Sequence, residues 1–318
     1  MSAEHTPVLA AEMLATLDPQ DGENFLDGTF GRGGYSRAIL EAANCTVYAL
    51  DCDPDAITEG KALIQAFERR LTLLQGQFSF MIELLRDAGI ERLNGVVLDL
   101  GVSSPQLDDA ARGFSFRQDG PLDMRMTREG PTAADIVNRL DEKPLATLLR
   151  ELGEERHARR VARAIITARS TSPIESTLQL AGIVRDALPH AQNGIDPATR
   201  TFMALRIHVN NELGELEHGL RAAEFLLQPG GRLVVICFHS LEDRRVKNFL
   251  RTRSGGEPRV SRHLPLPALA PIPTFSLIHR RGITPSDTEI AVNPRARSAR
   301  LRAAIRTDAP AWPLEDAA

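Results

Sequence analysis

Residues 24–37 read Asn24-Phe-Leu-Asp-Gly-Thr-Phe-Gly-Arg-Gly-Gly-Tyr-Ser-Arg37, so a carboxylate, Asp27, is followed closely by Gly28, Gly31, Gly33 and Gly34. Glycine permits positive φ and lets backbone N–H groups approach a ligand. The spacing departs from the dinucleotide fingerprint G-x-G-x-x-G, and Asp27 would repel a pyrophosphate. A carboxylate there suits a ligand that carries an ammonium group. Asp51 lies about twenty residues past the loop, where doubly wound folds place the acid that holds ribose hydroxyls. Each hydroxyl bond to a carboxylate contributes roughly 1.5–3 kcal/mol. The plainer reading of Asp51 and Asp53 is a turn that opens a helix at Pro54, but the distance from the glycine loop favours the ribose role. Phe78 follows a third apolar run and could lie on a flat base, although an isolated phenylalanine is more often core. Asp99 closes a fourth run. S-adenosylmethionine (SAM) has an ammonium, a sulfonium and no phosphate.

These residues need elements that bring them together. Asn24–Asp27, Thr46–Asp51, Leu71–Leu74, Gly95–Asp99 and Gly231–His239 read as buried strands, and helical patterns fall between the first four. Strands that are apolar on both faces and alternate with helices form a parallel sheet. Ligands bind such sheets at the carboxyl ends of the strands, and Asp27, Asp51, Phe78 and Asp99 all fall there. About 130 residues separate the fourth and fifth strands, whereas an ordinary crossover needs a dozen or two. The excess predicts an inserted helical domain. Its helices are expected over 132–140, 143–152, 155–168, 177–187 and 196–227, the last broken near Gly214. The fold class is therefore α/β, a doubly wound, mostly parallel Rossmann-like sheet with an inserted all-helical domain. The expected division is 1–108 with 213–306 for the sheet domain and 109–212 for the insert, with 307–318 as a frayed tail. A first helix is expected from Thr6 to Leu17, with Thr6 as its cap.

The composition, 42% hydrophobic and 25% charged, is that of a soluble globular protein. The N-terminus lacks a signal peptide pattern, and no run of about eighteen apolar residues spans a membrane. Cys45, Cys52 and Cys237 have no C-x-x-C spacing, which argues against a disulfide framework or a cysteine zinc site and suits a cytoplasmic protein. The scattered histidines form no credible metal site. Charge is uneven: residues 244–306 carry a net +11 and residues 1–243 a net −12. A basic tail hints at a polyanionic partner. In the insert, Arg156, Arg160 and Arg163 recur at helical spacing, with Arg159 widening the stripe. They read equally as a clamp on phosphates or as a solvated face paired with Glu151, Glu154 and Glu155.

Further motifs span the chain: His5-Thr-Pro-Val-Leu9, Asp99-Leu-Gly-Val-Ser-Ser-Pro-Gln-Leu-Asp108, Arg112-Gly-Phe-Ser-Phe116, Asp119-Gly-Pro-Leu-Asp-Met-Arg125, Ala204-Leu-Arg-Ile-His-Val-Asn-Asn-Glu-Leu213, Cys237-Phe-His-Ser-Leu-Glu-Asp-Arg244 and Asn293-Pro-Arg-Ala-Arg-Ser-Ala-Arg-Leu-Arg302. With the glycine loop, they resemble the bacterial small-subunit ribosomal RNA cytosine-N4 methyltransferases. The resemblance implies SAM as cofactor, 16S rRNA or the small ribosomal subunit as partner, and a cytosine of the decoding region as target. It implies cofactor contacts at Gly33, Gly34, Tyr35, Asp51, Phe78, Asp99 and Gln106, with no metal; many relatives carry His at the position of Tyr35. The insert would help to hold RNA.

Other amino-methylating enzymes carry an Asp/Asn/Ser-Pro-Pro-aromatic turn after the fourth strand. Here the turn reads Ser103-Ser-Pro-Gln106, so a base-stacking ring must come from elsewhere, with Phe114, Phe116 and Phe238 as candidates. Ser103, Ser104 and His239 are conceivable participants but read equally as caps, so no catalytic residue is assigned. A methyltransferase acting on DNA or protein, and a SAM-binding RNA-binding protein without catalysis, are the rival readings. Oligomeric state is not legible.

Overall fold

Apolar runs that end in a carboxylate become strands in the computed structural model, which describes residues 7–188, 194, 196–256 and 272–314. The chain divides into two compact units, one of Met1–Gly101 with Gly214–Ala318 and one of Val102–Leu213.

The first unit opens with α1 (Ala10–Leu17), β1 (Asn24–Asp27), α2 (Gly34–Ala42), β2 (Thr46–Asp51), α3 (Pro54–Glu59), α4 (Lys61–Phe67), β3 (Leu71–Gln75), α5 (Met81–Asp87) and β4 (Leu93–Asp99). The helix expected to run unbroken from Pro54 is divided at Gly60. Thr6 lies outside the described residues, and α1 starts after Leu9, whose φ is 54°. The second unit is helical: α6 (Ser104–Asp108), α7 (Ala133–Arg139), α8 (Glu142–Gly153), α9 (Ala158–Arg169), α10 (Thr177–Ala187) and α11 (Ala198–Val209). The first unit resumes at Gly214, within α12 (Glu212–Leu226), and continues with β5 (Leu227–Cys237), α13 (Ser240–Arg253), β6 (Phe275–Leu277), α14 (Asp287–Val292) and β7 (Arg300–Arg306).

The strand order is β3-β2-β1-β4-β5-β7-β6. β1 to β5 are parallel, while β7 runs antiparallel to β5 and to β6. Both faces are apolar, because neighbouring residues of one strand enter opposite cores. Val96 and Leu98 pack with Leu26, Leu50 and Val235, whereas Val97 packs with Phe25, Val47 and Ile236. A sheet covered on both faces presents its ligand-binding surface at its edge, beyond the strand tips. β5 begins at Leu227 rather than at the expected Gly231, and its register against β4 shifts between Leu93 and Gly95.

Charges hold the far end of this sheet together. Glu224, only 1% exposed, accepts from Arg253 Nε at 2.8 Å and from Thr274 Oγ1 at 2.6 Å. Arg306 donates to the Glu224 and Thr274 carbonyls, both at 3.0 Å. The Arg253 guanidinium sits 3.9 Å over the Trp312 ring, and Trp312 Nε1 donates to the Ile272 carbonyl. Residues 307–314, expected to fray, are therefore fastened at Trp312. Arg302 reaches Asp243 with two nitrogens, at 2.6 and 3.0 Å. Several cations of the basic C-terminal region are thus consumed inside the fold. Residues 258–273 are Pro-rich and read from sequence as a loop; up to residue 271 they fall outside the described residues.

The second unit has its own core, built from Phe114, Leu145, Leu149, Val161, Ile165, Leu180, Val184, Phe202 and Leu205. The break between α11 and α12 falls at Asn210-Asn211 rather than near Gly214, with Asn211 at φ 48°. Asn210 clamps an irregular loop: its Nδ2 donates to the Met124 carbonyl and its Oδ1 accepts from Met126 N, each at 2.8 Å.

Candidate functional site

The tips of β1, β2 and β4 carry Asp27, Asp51 and Asp99, and the loop after β1 connects all three. Asp27 is fully buried. Its Oδ2 accepts from Ser36 Oγ at 2.7 Å and Ser36 N at 3.2 Å, and its Oδ1 accepts from Thr29 N at 3.2 Å. This carboxylate fastens the loop to the first turn of α2. Burial raises its pKa, opposed by the bonds from Ser36 and Thr29. Thr29 in turn accepts from Asp99 N at 2.7 Å.

Glycine is needed at particular points of this loop. Gly33 has a φ of 73° and begins α2, and a Cβ there would run into Leu63 and the Phe30 ring. Gly31 donates its N–H to Asp51 Oδ2 at 2.7 Å, and Asp53 N donates to Asp51 Oδ1 at 2.8 Å. Asp51 is thereby aimed by the loop, and burial pushes its pKa up to about 6. Asp53 caps α3 through Asp55 N, which is the turn role the sequence offered for it.

Asp99 differs from the other two. Its Oδ1 is sealed from solvent and has no hydrogen-bond partner among the described residues. Burial first, then the charges of Asp27 and Glu242, hold its pKa well above the usual carboxylate range. A buried acceptor without a donor is costly. The cost falls if a ligand brings a donor or a cation. The site is therefore rich in acceptors and hostile to phosphate, and it suits a ligand bearing hydroxyls and an ammonium.

The structure spreads the remaining expected residues unevenly. Phe78 sits in a turn after β3, and its ring lies on Gly219 of α12, where a Cβ would enter it. Tyr35 is only 4% exposed, and its hydroxyl donates to the Val8 carbonyl. Its side chain belongs to the core with Val8 and Ile39, so only its backbone adjoins the loop. Gln106 belongs to the second unit, where its Oε1 accepts from Ser103 N at 3.0 Å.

Of the candidate rings, Phe114 is buried in the second unit's core, and Phe116 meets Phe202 edge-on at 4.7 Å. Phe238 follows β5 directly and lies beside Gly101, two residues past Asp99. Ser103 and His239 are both helix N-caps. Glu242, 2% exposed, accepts from Phe238 N at 2.8 Å and lies 3.0 Å from His239 Nε2. Sequence reasoning missed the fastening roles of Ser36 and Thr29. The signal was available, since both are hydroxyl residues within reach of Asp27 in the glycine motif.

A family model described as the MraW methylase family matches residues 2–307. The chain is 61% identical to "Ribosomal RNA small subunit methyltransferase H" of Rhodospirillum centenum over 99% of this chain and 95% of that one. It is 55% identical to the protein of the same name from Paramagnetospirillum magneticum, over 97% of each chain. A third of that name, from Azorhizobium caulinodans, is 57% identical over 99% of this chain and 91% of its own.

Proposed function

Because the chain belongs to the MraW methylase family, we propose that it transfers the methyl group of SAM to N4 of a cytosine in the decoding region of 16S ribosomal RNA. The observation that carries the cofactor assignment is the sealed, unpartnered Asp99 Oδ1 at the tip of β4 together with the amide-aimed Asp51 at the tip of β2, the two strands that flank β1. These acceptors fit SAM, which offers ribose hydroxyls and an ammonium and no phosphate. Bound there, SAM supplies an electrophilic methyl on a sulfonium. The substrate assignment draws on the names of the relatives.

In this reading, Asp51 accepts from the ribose hydroxyls and Asp99 from a donor of the aminoacyl end. Gly33 and Gly34 let the backbone come close, and Phe78 walls the base. Tyr35 contributes through its backbone. The cytosine amino group is conjugated with its ring and is a weak nucleophile. It has no proton that a base removes easily beforehand, so the proton leaves after the carbon–nitrogen bond has formed. Catalysis then rests on holding N4 in line with the methyl, and such positioning lowers a barrier by roughly 7–11 kcal/mol. Phe238 is the ring best sited in the first unit to stack on the extruded base, a contribution of about 1–3 kcal/mol.

Incubating the purified protein with tritiated SAM and small ribosomal subunits tests the proposal. Label recovered as N4-methylcytidine in 16S rRNA is the expected result. Label found only in DNA or protein, or SAM binding without transfer, would overturn it.

A further inference from the structure

We infer that Arg156 and the exposed arginines of α9 (Arg159, Arg160 and Arg163) grip the sugar–phosphate backbone of the RNA substrate; this rests on the reading of the chain as an rRNA methyltransferase. The helix is two-sided. Ala158, Val161, Ala162 and Ile165 are buried in the second unit's core, while the four guanidiniums are exposed to solvent. From Arg156, just before the helix, to Arg163 on its second turn the stripe runs roughly 10 Å, which is long enough to meet successive phosphates of one strand.

Glu155 and Glu151 do not neutralise it. Glu155 is buried and accepts from His157 N at 2.7 Å, and Glu151 pairs with Arg150 at 3.2 Å. Arg163 has only a loose, exposed contact with Glu142 at 3.6 Å. Among the described residues, Arg156, Arg159 and Arg160 have no carboxylate or hydrogen-bond partner. Elsewhere in the same unit, arginines find acids: Arg125 with Asp123, Arg139 with Asp135, Arg185 with Asp196 and Arg206 with Glu212.

The placement is also unfavourable for the free protein. The first turn of α9 contains no acid, yet Arg159 and Arg160 sit there, at the positive end of the helix dipole. Arg159 and Arg163 are like charges at i,i+4, which repel. A polyanion relieves both penalties, and the planar guanidinium suits bidentate contact with phosphate. A lipid surface fits less well, because a membrane-lying helix turns its apolar side outward and that side of α9 is in the core.

The test compares wild type with the neutral variant R156Q/R159Q/R160Q/R163Q and with a four-lysine variant that keeps the charge. Binding to small ribosomal subunits is measured across a potassium chloride series, alongside SAM affinity, thermal melting and steady-state methylation. The neutral variant is expected to bind subunits at least about tenfold more weakly at low salt, with the salt slope reduced by about three. Its KM for subunits should rise while its SAM affinity is unchanged and its melting temperature is equal or higher. The lysine variant should keep most of the slope. An unchanged slope and KM would overturn the inference, as would a lowered melting temperature with lost SAM binding. Loss of binding to phosphatidylserine vesicles, with subunit binding intact, would assign the stripe to a membrane instead. If wild type itself methylates no rRNA, the functional reading fails; if wild type is active and the neutral variant matches it, only the stripe fails.

Discussion

Replacing Asp51 by Asn removes the charge that the glycine loop orients and turns an NH2 group, in place of an oxygen, toward one of its two backbone amide donors. The Gly31 and Asp53 amides occupy one lone pair on each Asp51 oxygen, at 2.7 and 2.8 Å, leaving the other lone pairs for hydroxyl donors. The carboxyl's pKa of about 6 in the unliganded protein stems mainly from burial. If SAM binds the ionised form, about one molecule in eleven is competent one pH unit below that value, against ten in eleven one unit above. Wild-type affinity should therefore fall about tenfold from pH 7 to pH 5. Asp27 and Asp99 also have raised pKa values, so the ratio of wild type to variant isolates Asp51. The variant should bind roughly ten- to a hundredfold more weakly at pH 7, equivalent to about 1.4–3 kcal/mol for two charge-assisted bonds made neutral. That deficit should shrink toward pH 5. The sign for stability is opposite: a carboxyl whose pKa is raised by folding weakens the free protein above the folded value and not below the unfolded one. Calorimetric titration at several pH values measures the affinities. A wild-type-to-variant ratio that stays constant between pH 5 and pH 8 would refute the reasoning.

Four other substitutions test further contacts. Ser36→Ala leaves the buried Asp27 short of a hydroxyl donor and should cost about 1–3 kcal/mol by urea denaturation; a loss under 0.5 kcal/mol would show that the loop has other support. Arg253→Ala strands the buried Glu224 carboxylate and should cost about 3–5 kcal/mol, whereas Trp312→Ala, which leaves the ion pair in place, should cost less in the same assay. Phe238→Ala should lower kcat by roughly five- to a hundredfold, matching the loss of one stacked base, with SAM affinity unchanged; an unaltered kcat would remove Phe238 from the reaction.

The strand tips were legible because apolar runs ending in acid have few alternatives to a buried parallel strand. The expected division of the chain came from the distance between the fourth and fifth strands. The expected boundaries, 108/109 and 212/213, compare with 101/102 and 213/214 for the compact units. What escaped depends on partners distant in sequence. Nothing local indicates that the Tyr35 hydroxyl is taken by Val8, or that Asn210 breaks a helix in order to hold Met124 and Met126. A glycine inside a helix costs only about 1 kcal/mol, so Gly214 could stay helical. The short strand β6 exists through pairing with β7, which no pattern of three residues announces. The arginines were counted correctly, but their division into paired and unpaired groups required coordinates.

The splice between β4 and β5 has a consequence for synthesis on the ribosome. Leu93 of β4 pairs with Leu227, so one edge of the nascent four-stranded half stays open while the helical unit is translated. At 5–20 residues per second, that wait lasts roughly 7 to 26 seconds. During it, an apolar edge strand is available to any chaperone, or to any neighbouring chain, that reaches it before β5 does.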